Sequence, residues 1–81
     1  MSILVDEAIS AIHQNGSIAI RFKSGHTLSF PIKGNPRLES GSEEELNAIE
    51  LSPFGIHWPK LDEDLSFEGI MRGDYGQKKK G

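Results

Sequence analysis

Cysteine is absent from the chain. That excludes disulfides, thiolate zinc sites and thiol catalysis together, and it fits a reducing cytosol. The N-terminal stretch Met1-Ser2-Ile3-Leu4-Val5-Asp6-Glu7 has no basic region and meets two acids within seven residues. Neither a signal peptide nor a membrane span is expected there, and a soluble cytoplasmic protein is the reading that follows. The glycines form no phosphate-cradling loop. Ser24, Ser40 and Ser42 sit in loop or cap contexts with no glycine elbow around them, so no nucleophile constellation stands out.

What remains fits one domain. Eighty-one residues leave no room for a second, and such a chain buries only about 60% of the surface its unfolded form exposes. An apolar fraction of 36% with 26% charged residues is globular in kind. The net charge of −3 hides a segregation. Residues 1–38 carry four basic and two acidic side chains, whereas residues 39–68 carry nine acids against the single base Lys60. Crowded acid repels phosphate, so direct nucleic-acid binding is not expected. A basic protein surface is the better complement. Solubility alone also accounts for acids on a short helix and its loops. Lys78, Lys79 and Lys80 at the end read as a solvated tail.

Period-two alternation marks a hairpin. Ile18, Ile20 and Phe22 share one face of a strand, and Leu28, Phe30 and Ile32 share one face of the next. Lys23-Ser24-Gly25 joins them, and Pro31, lacking a backbone donor, belongs at a sheet edge. Asn15-Gly16 is a two-residue turn signal. Counting outward from it pairs Gln14 with Ser17, His13 with Ile18, Ala11 with Ile20 and Ile9 with Phe22, which favours a strand before the turn. Val5, Ile9 and Ile12 also fall at helical spacing, with Asn15-Gly16 able to end a helix, so both readings of residues 5–14 stay open.

Residues 33–41 read as a connection, punctuated by Gly34, Pro36 and Gly41. Ser42-Glu43-Glu44-Glu45 matches a capping box, with Leu46 and Ile49 facing inward from a short helix. Phe54, Ile56 and Trp58 then share a face at strand spacing, leaving His57 on the other. Asp62-Glu63-Asp64 precedes a last helical turn or two, in which Leu65, Ile70 and Met71 cover the sheet and an aspartate caps the start. The fold expected is α+β: a small antiparallel sheet of about four strands with two short helices packed on one face. Its domain is 1–73, followed by a flexible basic tail, 74–81.

The stretch Gly55-Ile56-His57-Trp58-Pro59-Lys60-Leu61-Asp62-Glu63-Asp64-Leu65-Ser66-Phe67-Glu68-Gly69-Ile70 resembles the C-terminal signature of the domain of unknown function 2442 family (DUF2442). Ser24-Gly25, Phe30-Pro31-Ile32 and Pro36-Arg37-Leu38 resemble its upstream elements, and the match spans roughly residues 8–73. Lys33-Gly34-Asn35 stands where common members carry aromatics, and the segment joining the helix to His-Trp is short. The resemblance implies an α+β domain found alone or joined to a helix-turn-helix unit. It also implies a stand-alone form beside a gene of another uncharacterised family (domain of unknown function 4160, DUF4160), in an arrangement like a toxin–antitoxin pair.

Three function classes follow. The leading one is a non-enzymatic, antitoxin-like protein-binding domain. It would bind and neutralise a small DUF4160-like toxin encoded nearby, without cofactor, through Arg37, Glu43, Glu44, Glu45, Asp62, Glu63 and Asp64. The second is a metal-binding or hydrolytic domain using His57 and the Asp62–Asp64 acids, with His13 and His26 able to share a sheet face. Against it, Trp58 is expected to fill the core while His57 makes a surface hydrogen bond. The third is an accessory transcriptional regulator acting through a DNA-binding partner.

Overall fold

Asn15 and Gly16 both take positive φ, 53° and 78°, and reverse the chain between β1 (Ala8–Gln14) and β2 (Ser17–Phe22). Asparagine tolerates this left-handed backbone and glycine prefers it, which is why the pair makes a tight hairpin turn. In the computed structural model, which describes residues 6–77, the strand reading of this segment holds. Gln14 pairs with Ser17, His13 with Ile18 and Ala11 with Ile20, as counted from the turn. The pairing of Ile9 with Phe22 does not form. A bulge between Ala8 and Ser10 sets Ala8 opposite Phe22 and leaves Ile9 54% exposed. Phe22 already fills that corner against Phe67, their rings edge-on at 5.2 Å, and the small side chain of Ala8 packs beside them. A bulge is the backbone's way of changing which residue points inward.

Gly25, at φ 100°, turns β2 into β3 (Thr27–Pro31), and β3 forms the outer edge of a three-stranded sheet ordered β1-β2-β3. Pro31 sits exposed on that edge, where its missing donor breaks no ladder bond. The connection expected at residues 33–41 contains a one-turn helix, α1 (Pro36–Glu39). The Asn35 side chain accepts from the amides of Arg37 and Leu38 and so caps it, Pro36 supplies a pre-set φ, and Leu38 is fully buried. Four residues are too few to show a helical period. α2 (Glu43–Asn47) begins with the expected capping box: Ser42 Oγ accepts from Glu45 N at 3.2 Å, and Glu45 Oε1 accepts from Ser42 N at 2.9 Å.

Beyond α2 the chain builds a second sheet in place of one four-stranded sheet. β4 (Glu50–Leu51), β5 (Gly55–Trp58) and β6 (Glu63–Ser66) pair antiparallel in that order. Phe54 does not share the inward face of Ile56 and Trp58. It lies in a turn closed by Ser52, whose Oγ accepts from Phe54 N and Gly55 N, and its ring is 81% exposed. Gly55 is needed where β5 begins, because a Cβ there would meet Leu65 O at 2.2 Å. The Asp62–Asp64 acids cap no helix. Glu63 and Asp64 lie in β6, and Ser66 caps α3 (Phe67–Met71) by accepting from Gly69 N at 2.9 Å. Ile70 and Leu65 pack on the core as expected, while Met71 is 67% exposed.

One core joins both sheets and all three helices: Ile18, Ile20 and Phe30 from the first sheet, Ile56 and Trp58 from the second, Leu38, Leu46 and Phe67 from the helices. The fold is α+β, with two small sheets where about four strands in one were expected. Packing also runs past Gly73. The Tyr75 ring lies 5.3 Å from that of Phe30, and Gln77 bonds back to Tyr75 N and Gly73 O. Residues 74–77 therefore belong to the folded unit; Lys78, Lys79 and Lys80 lie outside the described residues.

Two substitutions test this architecture. Asn35→Ala removes a cap and strands buried partners, so urea unfolding should show a loss of about 3 kcal/mol. Trp58→Phe leaves the Leu46 carbonyl without its indole donor, now 3.0 Å away, and should lose about 2 kcal/mol.

Candidate functional site

The seven residues expected to meet a partner fall into three groups, each fixed by a different element. On α2, Glu43 Oε1 lies 3.0 Å from His13 Nδ1 of β1, and its Oε2 accepts from Asn47 Nδ2 at 3.0 Å. Asn47 Oδ1 in turn accepts from His13 N at 2.9 Å, which covers an outward amide of the β1 edge. Glu45 is held in the capping box and Glu44 is exposed.

The second group lies where α1 meets the turn before β6. Arg37 Nη1 donates to Asp62 O at 2.9 Å and approaches Asp62 Oδ2 at 3.4 Å. Asp62 has φ 56°, a left-handed conformation that aspartate tolerates better than most side chains. Beside it Glu63 turns inward, and its Oε2 accepts from Asn35 Nδ2 at 2.9 Å. The third group is on the opposite face of β5 and β6, where cross-strand neighbours His57 and Asp64 meet, Nδ1 to Oδ1, at 2.6 Å.

Three consecutive acids thus serve three partners: Arg37, Asn35 and His57. Side chains alternate across a strand, so Glu63 and Asp64 cannot converge on one ion from adjacent positions of β6. His13 and His26 do not share a site either. His13 pairs with Ile18 at one end of β2, while Phe22 N donates to His26 O at the other. Among the described residues, no group of three histidine or acidic side chains gathers as a metal site would need.

The carboxylates of these pairs face solvent, Glu43 being 69% exposed, Asp62 93% and Asp64 81%, while the His13 side chain is only 11% exposed. Exposed pairs of this kind contribute under about 1 kcal/mol each. Their effect is to orient carboxylates on ordered backbone, with little stabilisation. The sequence reading gives Asn35 no role and turns Phe54 and Met71 inward, whereas both are exposed. Asn35 before Pro36 carries a cap signal that a loop reading absorbed; nothing in the local pattern marks Met71 as exposed. With Pro53, Phe22, Leu28 and Phe67, Met71 lines an open groove of about 420 Å³ between β3 and α3.

No helix among the described residues is long and apolar enough to cross a membrane. No curated protein matches the chain. A solved structure does: a protein of unknown function from Rhodospirillum rubrum ATCC 11170, 32% identical, aligned over 90% of this chain and 93% of that one with a TM-score of 0.76. The family model described as "Protein of unknown function (DUF2442)" matches residues 8–76. Nearly the whole chain is covered, from the bulged start of β1 to the segment that closes over Asn35, and the chain belongs to the DUF2442 family.

Proposed function

We propose that this chain is a non-enzymatic, cytoplasmic protein-binding domain: an antitoxin-like component that binds and neutralises a small partner protein encoded nearby. The observation that carries the binding part is the display of Glu43, Asp62 and Asp64, oriented by hydrogen bonds yet 69%, 93% and 81% exposed. Solvent-facing carboxylates set on ordered backbone present a pattern of negative charge to a basic surface. Glu44 and Glu45 extend the pattern along α2, and Arg37 adds one cation beside Asp62. The antitoxin-like part rests on the family resemblance, which implies members that neighbour a DUF4160-like gene.

The same geometry favours binding over chemistry. His57 has one acid beside it, and Asp62 and Glu63 are committed to Arg37 and Asn35. Partner choice by charge acts mostly on encounter rate and is sensitive to salt.

The test is co-expression with the product of the adjacent gene, followed by capture and a growth assay. The wild-type chain should hold the neighbour and restore growth. Glu43→Lys combined with Glu44→Lys should weaken capture by about tenfold at physiological salt, with a melting curve that shows the variant still folded at the assay temperature as control. A neighbour that elutes separately, with toxicity indifferent to this chain, would rule the proposal out.

A further inference from the structure

The turn between β4 and β5 holds an aromatic ring out in water on a fixed backbone. Ser52 N donates to Gly55 O at 2.9 Å, and Ser52 Oγ accepts from Phe54 N at 3.3 Å and from Gly55 N at 3.1 Å. Phe54 O accepts from Phe67 N at 2.9 Å, so the peptide groups on both sides of the ring are tied down. Pro53, with its fixed φ, restricts the turn further. A lone exposed apolar side chain is ordinary on a protein surface. This one walls a cleft.

The cleft is open, of about 300 Å³, and lies on the outer face of β5 and β6, with Phe54 at one end and the His57–Asp64 pair at the other. Gly55 and Ser66, cross-strand neighbours, form its floor. Glycine has no side chain to fill the space, and Gly55 is required there by its close approach to Leu65 O. The polar end is acidic. His57 pairs with Glu50 of β4 on one side and with Asp64 of β6 on the other, and both acids are exposed. No described lysine or arginine lines the cleft: Lys60 lies beyond Trp58, and Arg72 ends α3.

An aromatic wall at one end and negative charge at the other match a long cationic side chain, whose methylene stem packs on apolar surface while its head stays at the water's edge. We propose that this cleft receives an arginine or lysine side chain of a partner protein, its stem against Phe54 and its charge beside Asp64. The assignment rests on the reading of the chain as a protein-binding domain that meets a basic surface, and it names the point at which one of the partner's cations is seated. Neither Glu43 nor Glu44 on α2 takes part in it. The probe is a set of short peptides, blocked at both ends, with one arginine, lysine, citrulline or glutamate between alanines. They are titrated into the isotopically labelled full chain and followed by NMR. Citrulline keeps the length and shape of arginine without its charge.

The arginine and lysine peptides are expected to shift the amides of Gly55 and Ser66 and the ring of Phe54 saturably, with dissociation constants of about 1 mM. The citrulline peptide should bind about fivefold more weakly than the arginine one, and the glutamate peptide should not bind. Phe54→Ser removes the aromatic wall and Asp64→Asn the charge, both at exposed positions where the fold should persist. Each should weaken the arginine peptide about fivefold. Glu43→Lys with Glu44→Lys should bind it as wild type does, which separates this cleft from the α2 acids. Equal binding of the citrulline peptide, shifts centred elsewhere, or no saturable shift from the cationic peptides would overturn the assignment; so would wild-type affinity in both the Phe54 and Asp64 variants. A chain that captures its neighbour while these peptides fail loses this assignment alone.

Discussion

The Asn35 side-chain amide is the constraint on which the rest of the structure depends. It is fully buried, and it uses both ends. Oδ1 accepts from Arg37 N at 3.1 Å and Leu38 N at 3.2 Å; Nδ2 donates to Glu63 Oε2 and to Tyr75 O, both at 2.9 Å. A buried amide left unsatisfied is destabilising by a few kcal/mol, whereas a saturated one fixes its neighbours in a single arrangement. Here the neighbours are α1, the first residue of β6 and the C-terminal segment. Gly76 passes so close that a Cβ would stand 2.4 Å from Asn35 Nδ2, so that crossing admits only glycine.

That node joins halves too small to stand alone. A three-stranded sheet with one apolar face needs a second layer. The first sheet supplies Ile18, Ile20, Phe22 and Phe30 as its apolar face, and the second brings Ile56 and Trp58. Trp58 completes the junction: fully buried, its indole donates to the Leu46 carbonyl and so anchors α2 to β5. Anchoring α2 has a functional consequence, since α2 carries Glu43 and Glu44 and covers the β1 edge through Asn47. The acidic display and the protection of one sheet edge have the same origin. The β3 edge has no such cover among the described residues.

The parts legible in the sequence were those with local causes. The Asn15-Gly16 turn set the register of β1 on β2 through Ala11, and the Ser42–Glu45 box set the start of α2. Both depend on residues within a few positions of each other. What escaped depended on distant partners or on elements too short for a period. β6 was read as the start of a helix because Glu63-Asp64-Leu65-Ser66 shows only one alternation, and its strand state comes from pairing with β5. The bulge at Ile9 lies beside a corner that Phe22 fills against Phe67, a residue far along the chain. In the candidate site, the acids were legible as residues but their division was not. Nothing local says that Glu63 turns to Asn35 while Asp64 turns to His57. The mistaken tail boundary has the same cause, since Tyr75 packs on Phe30 and its carbonyl serves Asn35.

A domain organised this way holds charged side chains in fixed directions on a small frame and leaves its chemistry-bearing residues paired with each other. The frame depends on one amide, so the most direct measurement is hydrogen exchange at the Asn35 side chain itself. Its two Nδ2 protons should resolve as separate resonances and exchange only on global unfolding, as slowly as the backbone amide of Leu38. Exchange as fast as that of an exposed asparagine amide, with the backbone still folded, would contradict the account.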